Sequence, residues 1–478
     1  MKKIIISKLF LYKHRYVIGY VLLGIAFISL LFSLPIFAQY GVSEAEMDSA
    51  TSSYYLQIDA PLHGDLVDLP YRALQKASIT LFGLTPYAIK LPSIIIGLIL
   101  GFLFVLLLNR WFKNNVSLLA SFLVILSTPF LFLAGSGTPL IMLVFWPTLL
   151  LWLGSKIQGE NRPKPVYSFL FAIALLFAIF TPYMLYFAII CVLFVFLQPH
   201  LRFVLKSLPK LPLIFVCLLV ISGIIALVVN VVHHPGTIME LLFAKNYTFG
   251  SWFGNLINGI GPVFSWRNTV ENVYLSPLMS LPLFALALIG LFSTTKGFFA
   301  SRNSIASLLL LFTVIITGFN PSAVIFFILP LSILVAHGLK YLLEKWYGLF
   351  PENPYARVAA AFPLCILFAL IIIPSTLQYI YGYRYNPNVA DSFNDNLDVI
   401  HENLTNETLL VKDHYEFYKI LERHTDIKVV NEIGKEKYAT FAAMGKLEIP
   451  ETYMISKIIT SHMRENSDII YLYTEKGE

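Results

Sequence analysis

Six of the eleven carboxylates in the first 380 residues lie between residues 44 and 68: Glu44, Glu46, Asp48, Asp59, Asp65 and Asp68. Carboxylates gathered in an apolar chain suit general-base catalysis, in which a carboxylate takes a proton from a hydroxyl or amine as it attacks. The first three stand in Gly41-Val-Ser-Glu-Ala-Glu-Met-Asp-Ser-Ala50, directly after an apolar run. That placement predicts a helix starting at a membrane surface, where charge is costly and marks function. A structural reading competes with it. Ser43-x-x-Glu46 has the spacing of a capping box, in which Ser43 caps the helix and Glu46 returns a bond to the cap's N–H. Glu44 and Asp48, four residues apart, then share a solvated face. His63, Asp65 and Asp68 are nitrogen and oxygen donors at short spacing, candidates for a donor or acceptor loop or for ligands of a divalent cation. A surface turn is the competing reading for these three, and Asp59 receives no role.

The elements that must position these groups are membrane spans. The chain is 57% hydrophobic and 13% charged, with a mean hydropathy of +0.72. A water-soluble domain carries about 25% charge, so a fully soluble protein, a disordered chain and a collagen-like fibre are excluded. A hydrocarbon core roughly 30 Å thick needs about 20 apolar helical residues. Eleven such spans are expected, at 17–37, 91–109, 116–134, 139–155, 166–181, 183–198, 211–232, 275–294, 304–319, 322–342 and 358–379. With the N-terminus inside, 18 Lys and Arg fall on inner segments and 5 on outer loops, the asymmetry that orients membrane proteins. The first span exceeds the apolar length of a signal peptide, so an uncleaved anchor is expected despite Ile36-Phe37-Ala38. Cys191, Cys217 and Cys365 lie inside apolar runs and read as packing residues.

This topology gives a multi-pass protein of the cell membrane, with a cytoplasmic N-terminus and an extracytoplasmic C-terminus. Two outer loops are long, 38–90 and 233–274, so the chemistry is expected on that face. Two domains are read: a membrane domain over 1–380, and a small soluble α/β domain over 381–478. The second has strand-like runs at Thr408–Lys412, Ile427–Asn431 and Asp468–Tyr473, with an amphipathic stretch at Tyr415–Arg423. The formal net charge of +6 comes from the inner segments, while the outer loops and the tail are net acidic. The basic excess is thus a topology signal, and no nucleic-acid partner is expected.

The first loop ends in Leu81-Phe-Gly83-Leu-Thr-Pro-Tyr-Ala-Ile-Lys90-Leu-Pro92-Ser93, and Ser127-Thr-Pro129-Phe130 and Gly135-Ser-Gly-Thr-Pro139 follow. A first span, an acidic motif just outside it, and this Phe-Gly to Lys-Leu-Pro-Ser stretch resemble the GT-C glycosyltransferases. That superfamily contains the protein O-mannosyltransferases and lipid A aminoarabinose transferase. Lys90 stands where its signature usually has Arg. The resemblance covers residues 15–380 and is most specific over 40–150. It implies the GT-C fold and transfer of a sugar from a polyprenyl-phosphate carrier to a protein, glycan or lipid acceptor at the outer face. It also implies a single-displacement, inverting reaction, with membrane lipids as surroundings and no nucleotide-sugar site. No cofactor is required by the reading beyond the candidate divalent cation. The family's base is usually the Asp of an Asp-Glu pair, and this chain has Ser43-Glu44 in one register and Ala45-Glu46 in the other. Glu44 is preferred over Glu46, because the capping box gives Glu46 another task. The missing Asp also leaves room for a catalytically silent scaffold.

A lipid-phosphate leaving group needs a cation at the membrane edge. The second long loop offers Lys245 and Arg267, the latter beside Trp266, and guanidinium binds phosphate in bidentate fashion. An interfacial Trp–Arg anchor without a ligand is the competing reading. A transporter or flippase is disfavoured by spans almost free of charge, His337 being the main exception.

Overall fold

The computed structural model describes residues 14–37, 41–56, 66–158, 165–207, 210–243, 251–264, 269–270, 273–274, 279–297, 300–349, 359, 361–385, 392–432, 440–445, 447, 449–450, 452–461 and 467–475. The chain opens with the apolar helix α1 (Arg15–Phe37), followed by a two-residue strand β1 (Val42–Ser43) and the surface helices α2 (Glu44–Tyr54) and α3 (Leu69–Phe82). Then come α4 (Pro86–Trp111), α5 (Asn114–Ile125), α6 (Thr128–Gly135), α7 (Met142–Gln158), α8 (Pro165–Ala178) and α9 (Met184–Leu197). The short amphipathic α10 (Pro199–Ser207) leads into α11 (Lys210–His233), α12 (Gly236–Phe243) and α13 (Trp252–Phe264). A small ribbon, β2 (Thr269–Val270) with β3 (Val273–Tyr274), precedes α14 (Leu281–Thr295), α15 (Ser301–Phe319), α16 (Ile328–Leu349) and α17 (Ala361–Tyr385).

Among the described residues, seven helices are long and apolar enough to cross a membrane, and α5 with α6, bent by 61°, makes an eighth. Three further apolar helices, α8, α9 and α14, are only 14, 14 and 15 residues long. The eleven expected spans therefore divide into eight of membrane-crossing length and three short ones. The shortness of α8 and α9 has a local cause. The chain breaks at Thr181-Pro182, and Tyr183 takes a left-handed conformation with φ of 65°. The break is pinned from both sides, because Tyr183 N–H donates to Leu241 O at 2.7 Å and Asp68 N–H to Phe180 O at 2.8 Å.

Close approach between spans rests on small residues, the usual device where lipid supplies no hydrophobic drive. A Cβ on Gly290 of α14 would sit 1.9 Å from Leu334 O, and one on Gly338 of α16 would sit 2.1 Å from Leu286 O. The two helices thus meet backbone to backbone.

Beyond α17 the chain forms β4 (Phe393–Asn394), α18 (Asn396–Asn403), β5 (Thr408–Leu410), a turn of helix α19 (Tyr415–Tyr418) running into a 3-10 stretch, β6 (Lys428–Val430), β7 (Thr440–Met444), β8 (Tyr453–Ile459) and β9 (Ile470–Glu475). Five strands make one mixed sheet in the order β6-β5-β7-β9-β8. Strand β5 pairs in parallel with β6 and β7, while β9 pairs antiparallel with β7 and β8. The three expected strand runs coincide with β5, β6 and β9. Strands β7 and β8 were not anticipated, since β8 has a mostly exposed face and an irregular register between Ile455 and Lys457 that blurs period-two alternation.

The sheet does not stand apart from the first loop. One apolar cluster runs from Met47, Ala50 and Tyr54 of α2, through Ile79 and Ile89, into Leu397, Ile400, Leu409 and Phe417. Strand β1 also pairs antiparallel with β4, Val42 opposite Asn394 and Ser43 opposite Phe393. Strand β1 and helix α2 are therefore clamped between the head of α4 and the C-terminal sheet.

Candidate active site

Helix α2 starts where the sequence places it, and for the stated reason. The side chain of Ser43 accepts from Glu46 N–H at 3.4 Å, and Ser43 N–H donates to Glu46 Oε2 at 3.0 Å. The capping box is complete. Gly41 just before it has φ of 88°, a region that favours glycine, and a Cβ there would lie 2.1 Å from Asn394 O.

Glu46 is 1% exposed and its carboxylate is fully engaged. Oε1 accepts from Gly137 N–H at 2.6 Å, and Oε2 lies 3.8 Å from Lys90 Nζ as well as taking the Ser43 bond. Lys90 is equally enclosed. Its Nζ donates to Gly41 O at 2.6 Å and stands 5.4 Å from the centroid of the Phe393 ring. The two sequence motifs Lys90-Leu-Pro-Ser93 and Gly135–Pro139 thus converge on one buried carboxylate. Gly137 has to be glycine for this approach, because a Cβ would fall 2.7 Å from Ile89 Cγ2 and 3.3 Å from Glu46 Cγ.

Gln75 completes the frame and was missed in the sequence. It is fully buried on α3. Its Nε2 donates to Ile89 O at 3.1 Å and Gly137 O at 2.8 Å, and its Oε1 accepts from Ser49 Oγ at 2.8 Å and Ser53 Oγ at 2.7 Å. One amide therefore ties α2, α3, α4 and the turn at Gly137 together. Nothing in the local pattern distinguishes it from a solvated Gln on an amphipathic helix. Nearby, Tyr71 is buried with its hydroxyl 2.8 Å from Ser93 Oγ. Burial raises its phenol pKa, an effect the Ser93 hydrogen bond opposes.

The other two carboxylates of α2 are exposed and differ in what they adjoin. Glu44 is exposed and lines a cleft of about 760 Å³ between the start of α2 and the C-terminal sheet. Asp48 is exposed and does not line it. The opposite wall carries Lys412, Asp413, His414 and Asp468. Its rim is braced by Asn396, whose Nδ2 donates to Asp468 Oδ2 at 2.9 Å and to the Tyr418 hydroxyl at 3.2 Å. Lys412 and His414 have no role in the sequence reading, since they are remote from Glu44 in the chain and come near it through the β1–β4 pairing and the apolar cluster that joins α2 to the sheet.

The remaining candidates are dispersed. Asp68 is 8% exposed and stands at the head of α3 with φ of 56°, its backbone tied to Phe180. It does not line the Glu44 cleft. His63, Asp65, Lys245, Trp266 and Arg267 lie outside the described residues. Among the described residues, no group of three His, Cys, Asp or Glu is placed to hold a metal ion.

A protein-family model described as dolichyl-phosphate-mannose-protein mannosyltransferase matches residues 70–226. That stretch holds the Lys90 and Gly137 motifs but not α2. No curated protein sequence matches the chain. Among solved structures, ArnT from Cupriavidus metallidurans bound to undecaprenyl phosphate is similar with a TM-score of 0.59 at 13% identity, over 95% of this chain and 98% of that one. The Archaeoglobus fulgidus oligosaccharyltransferase AglB, in complex with an inhibitory peptide and a dolichol-phosphate, is similar with a TM-score of 0.51 at 12% identity, over 88% of this chain and 65% of that one. The same oligosaccharyltransferase, tethered with an acceptor peptide containing the NVT sequon, gives 0.53 at 12% identity over 88% and 64%. The resemblance read from the sequence therefore holds, and the chain has the fold of the GT-C polyprenyl-phosphate-dependent glycosyltransferases.

Proposed function

We propose that this protein is a membrane glycosyltransferase that moves a sugar from a polyprenyl-phosphate carrier to a hydroxyl or amine acceptor, with Glu44 as the base. The observation that carries the assignment is the division of labour on α2. The Glu46 carboxylate is held by three partners, whereas Glu44 opens on a cleft of about 760 Å³. The fold, the partial family match and the carriers bound by the similar structures support the donor class.

In the proposed reaction Glu44 takes the acceptor's proton as the acceptor oxygen or nitrogen attacks the anomeric carbon. The bond from that carbon to the phosphate oxygen breaks, and the electron pair leaves with the polyprenyl phosphate. One displacement by one base inverts the anomeric centre. Arg267, next to Trp266 in the chain, and Lys245 are proposed to hold the leaving phosphate, whose developing charge requires a cation. His63, Asp65 and Asp68 are proposed for the same outer loop system. The cation asymmetry supports a cell-membrane protein with its N-terminus in the cytoplasm and the Glu44 cleft outside. The proposed division is a catalytic membrane domain over 1–380 and an extracytoplasmic domain over 381–478, which walls the cleft.

A second reading has one observation in its favour. The family's Asp is missing in both registers: one puts Ser43 in its place, with its side chain used in the cap, and the other puts Ala45 there. On that reading the protein is a silent scaffold that presents its sheet to partners. Purified protein with radiolabelled polyprenyl-phosphate sugars separates the two. Glu44→Gln is expected to lower carrier consumption by about 10²- to 10⁴-fold, the usual worth of a general base, with melting unchanged. Undiminished turnover would remove Glu44 from the mechanism. Wild-type protein that consumes no carrier would favour the scaffold.

A further inference from the structure

Helix α4 has cations at both ends, and the far end is built differently from the Lys90 end. A cavity of about 400 Å³ opens there, lined by Arg110 at the end of α4, Lys113 before α5, Arg302 at the start of α15 and Lys340 on α16. Glu344 is the one carboxylate of its described lining and is shared with Lys340 at 3.8 Å. Among the described residues, Arg110 and Lys113 have no carboxylate partner. The first turn of α5 also faces the cavity through Asn115 and Val116, so helix-terminal N–H groups add to the positive potential. Arg302 is held in place, with Nη1 donating to Trp111 O at 2.6 Å and the guanidinium 5.5 Å from the Phe112 ring centroid. That leaves most of its five N–H donors for a ligand.

A second cavity, of about 490 Å³, adjoins this one and has the opposite chemistry. It runs among α7, α8, α9 and α11 and is almost wholly apolar, with Leu151, Phe171, Phe194 and Val220 along it. Both cavities are lined by Trp111 and Arg302. A basic chamber joined to an apolar groove at a shared Trp–Arg pair matches one class of molecule, a phosphate carrying a hydrocarbon chain. We infer that this end of the bundle, opposite the Glu44 cleft, binds an anionic glycerophospholipid. Its phosphate sits among Arg110, Lys113, Arg302 and Lys340, and an acyl chain lies in the groove. Basic pockets between spans recognise lipid headgroups in this way. The site is distinct from the Glu44 cleft, which lies toward the Lys90 end of α4, and it does not depend on the proposed function.

Native mass spectrometry and thermal melting in detergent test this, with phosphatidylglycerol, phosphatidylcholine and inorganic phosphate as three separate additions. Phosphatidylglycerol is expected to be retained about tenfold better than phosphatidylcholine and to raise the melting temperature, while phosphate alone does neither. Arg110→Gln with Lys113→Gln changes exposed side chains and is expected to lower phosphatidylglycerol retention about tenfold, with the lipid-free melting temperature kept. Gly154→Leu, in the groove, is expected to lower retention as well. Equal retention of the two lipids would reduce the groove to unselective lipid contact and overturn the inference. Phosphate matching phosphatidylglycerol would leave a free-anion site and overturn it too. So would retention that survives the double substitution.

Discussion

Two ion pairs in this protein have the same N···O separation, 3.8 Å, and opposite surroundings. Lys90 and Glu46, at the head of α4, are 2% and 1% exposed; Lys340 and Glu344, on α16 near the other end of the bundle, are 29% and 57% exposed. Separation alone does not say what a pair does. A buried pair has lost its water on both sides, so each charge depends on the few groups that replaced that water. Glu46 has two backbone N–H groups and Lys90, and Lys90 has a carbonyl and an aromatic face. An exposed pair gains little and is screened by salt. The first pair is a lock on the acidic loop, and the second belongs to a charged cavity that stays open to a ligand.

The strongest way to break this contrast is Lys90→Met. It leaves Glu46 buried with no cation, and removal of one partner from such a pair costs about 3–5 kcal/mol. Melting in detergent should fall steeply, and turnover should be lost with it. The double variant Lys90→Met with Glu46→Leu should recover part of the melting temperature, because the uncompensated charge is gone. If Lys90→Met melted like wild type, the lock would be an accident of packing.

A middle case is neutral. Gln75→Leu removes four hydrogen bonds at once and leaves the carbonyl of Gly137 and the hydroxyls of Ser49 and Ser53 to find other partners. Each orphaned polar group costs about 1–3 kcal/mol, and the small hydroxyls can turn elsewhere, so the expected loss is about 2–3 kcal/mol in all. The same melting experiment reads it. A loss as large as that of Lys90→Met would show that the frame is held by the amide and not by the charge.

How much of this was legible beforehand follows from the range of each interaction. The cap at Ser43 and Glu46 was readable because both partners lie within four residues. The apolar runs were readable because membrane burial needs length and composition alone, and the break at Thr181-Pro182 stood as the boundary between two adjoining runs, though hydropathy did not show that each helix closes after 14 residues. Gln75, by contrast, joins residues 49, 53, 89 and 137, and no local rule singles it out. The closure of the cleft by Lys412 and His414 depends on contacts across some 350 positions, the β1–β4 pairing and the apolar cluster that joins α2 to the sheet. Strand β8 was missed because its side chains are mostly exposed and lack alternation.

The smallest effect belongs to the exposed pair, and its sign is informative. Lys340 stands among Arg110, Lys113 and Arg302, so its attraction to Glu344 is opposed by three like charges. An i,i+4 pair on a helix contributes about 0.3–0.5 kcal/mol, and the order Lys before Glu is the weaker one. Lys340→Met is therefore expected to change stability by less than about 0.5 kcal/mol, and relief of repulsion can offset even that. Glu344→Gln takes away the one carboxylate in the cavity's described lining, so it should cost more than Lys340→Met despite breaking the same contact. Added salt should narrow that difference, because it screens repulsion among partly exposed cations. Melting of the two variants at low and high salt checks both statements. Equal losses, insensitive to salt, would mean that the pair is judged by its contact and not by its surroundings, and the contrast with Lys90 and Glu46 would then be one of degree.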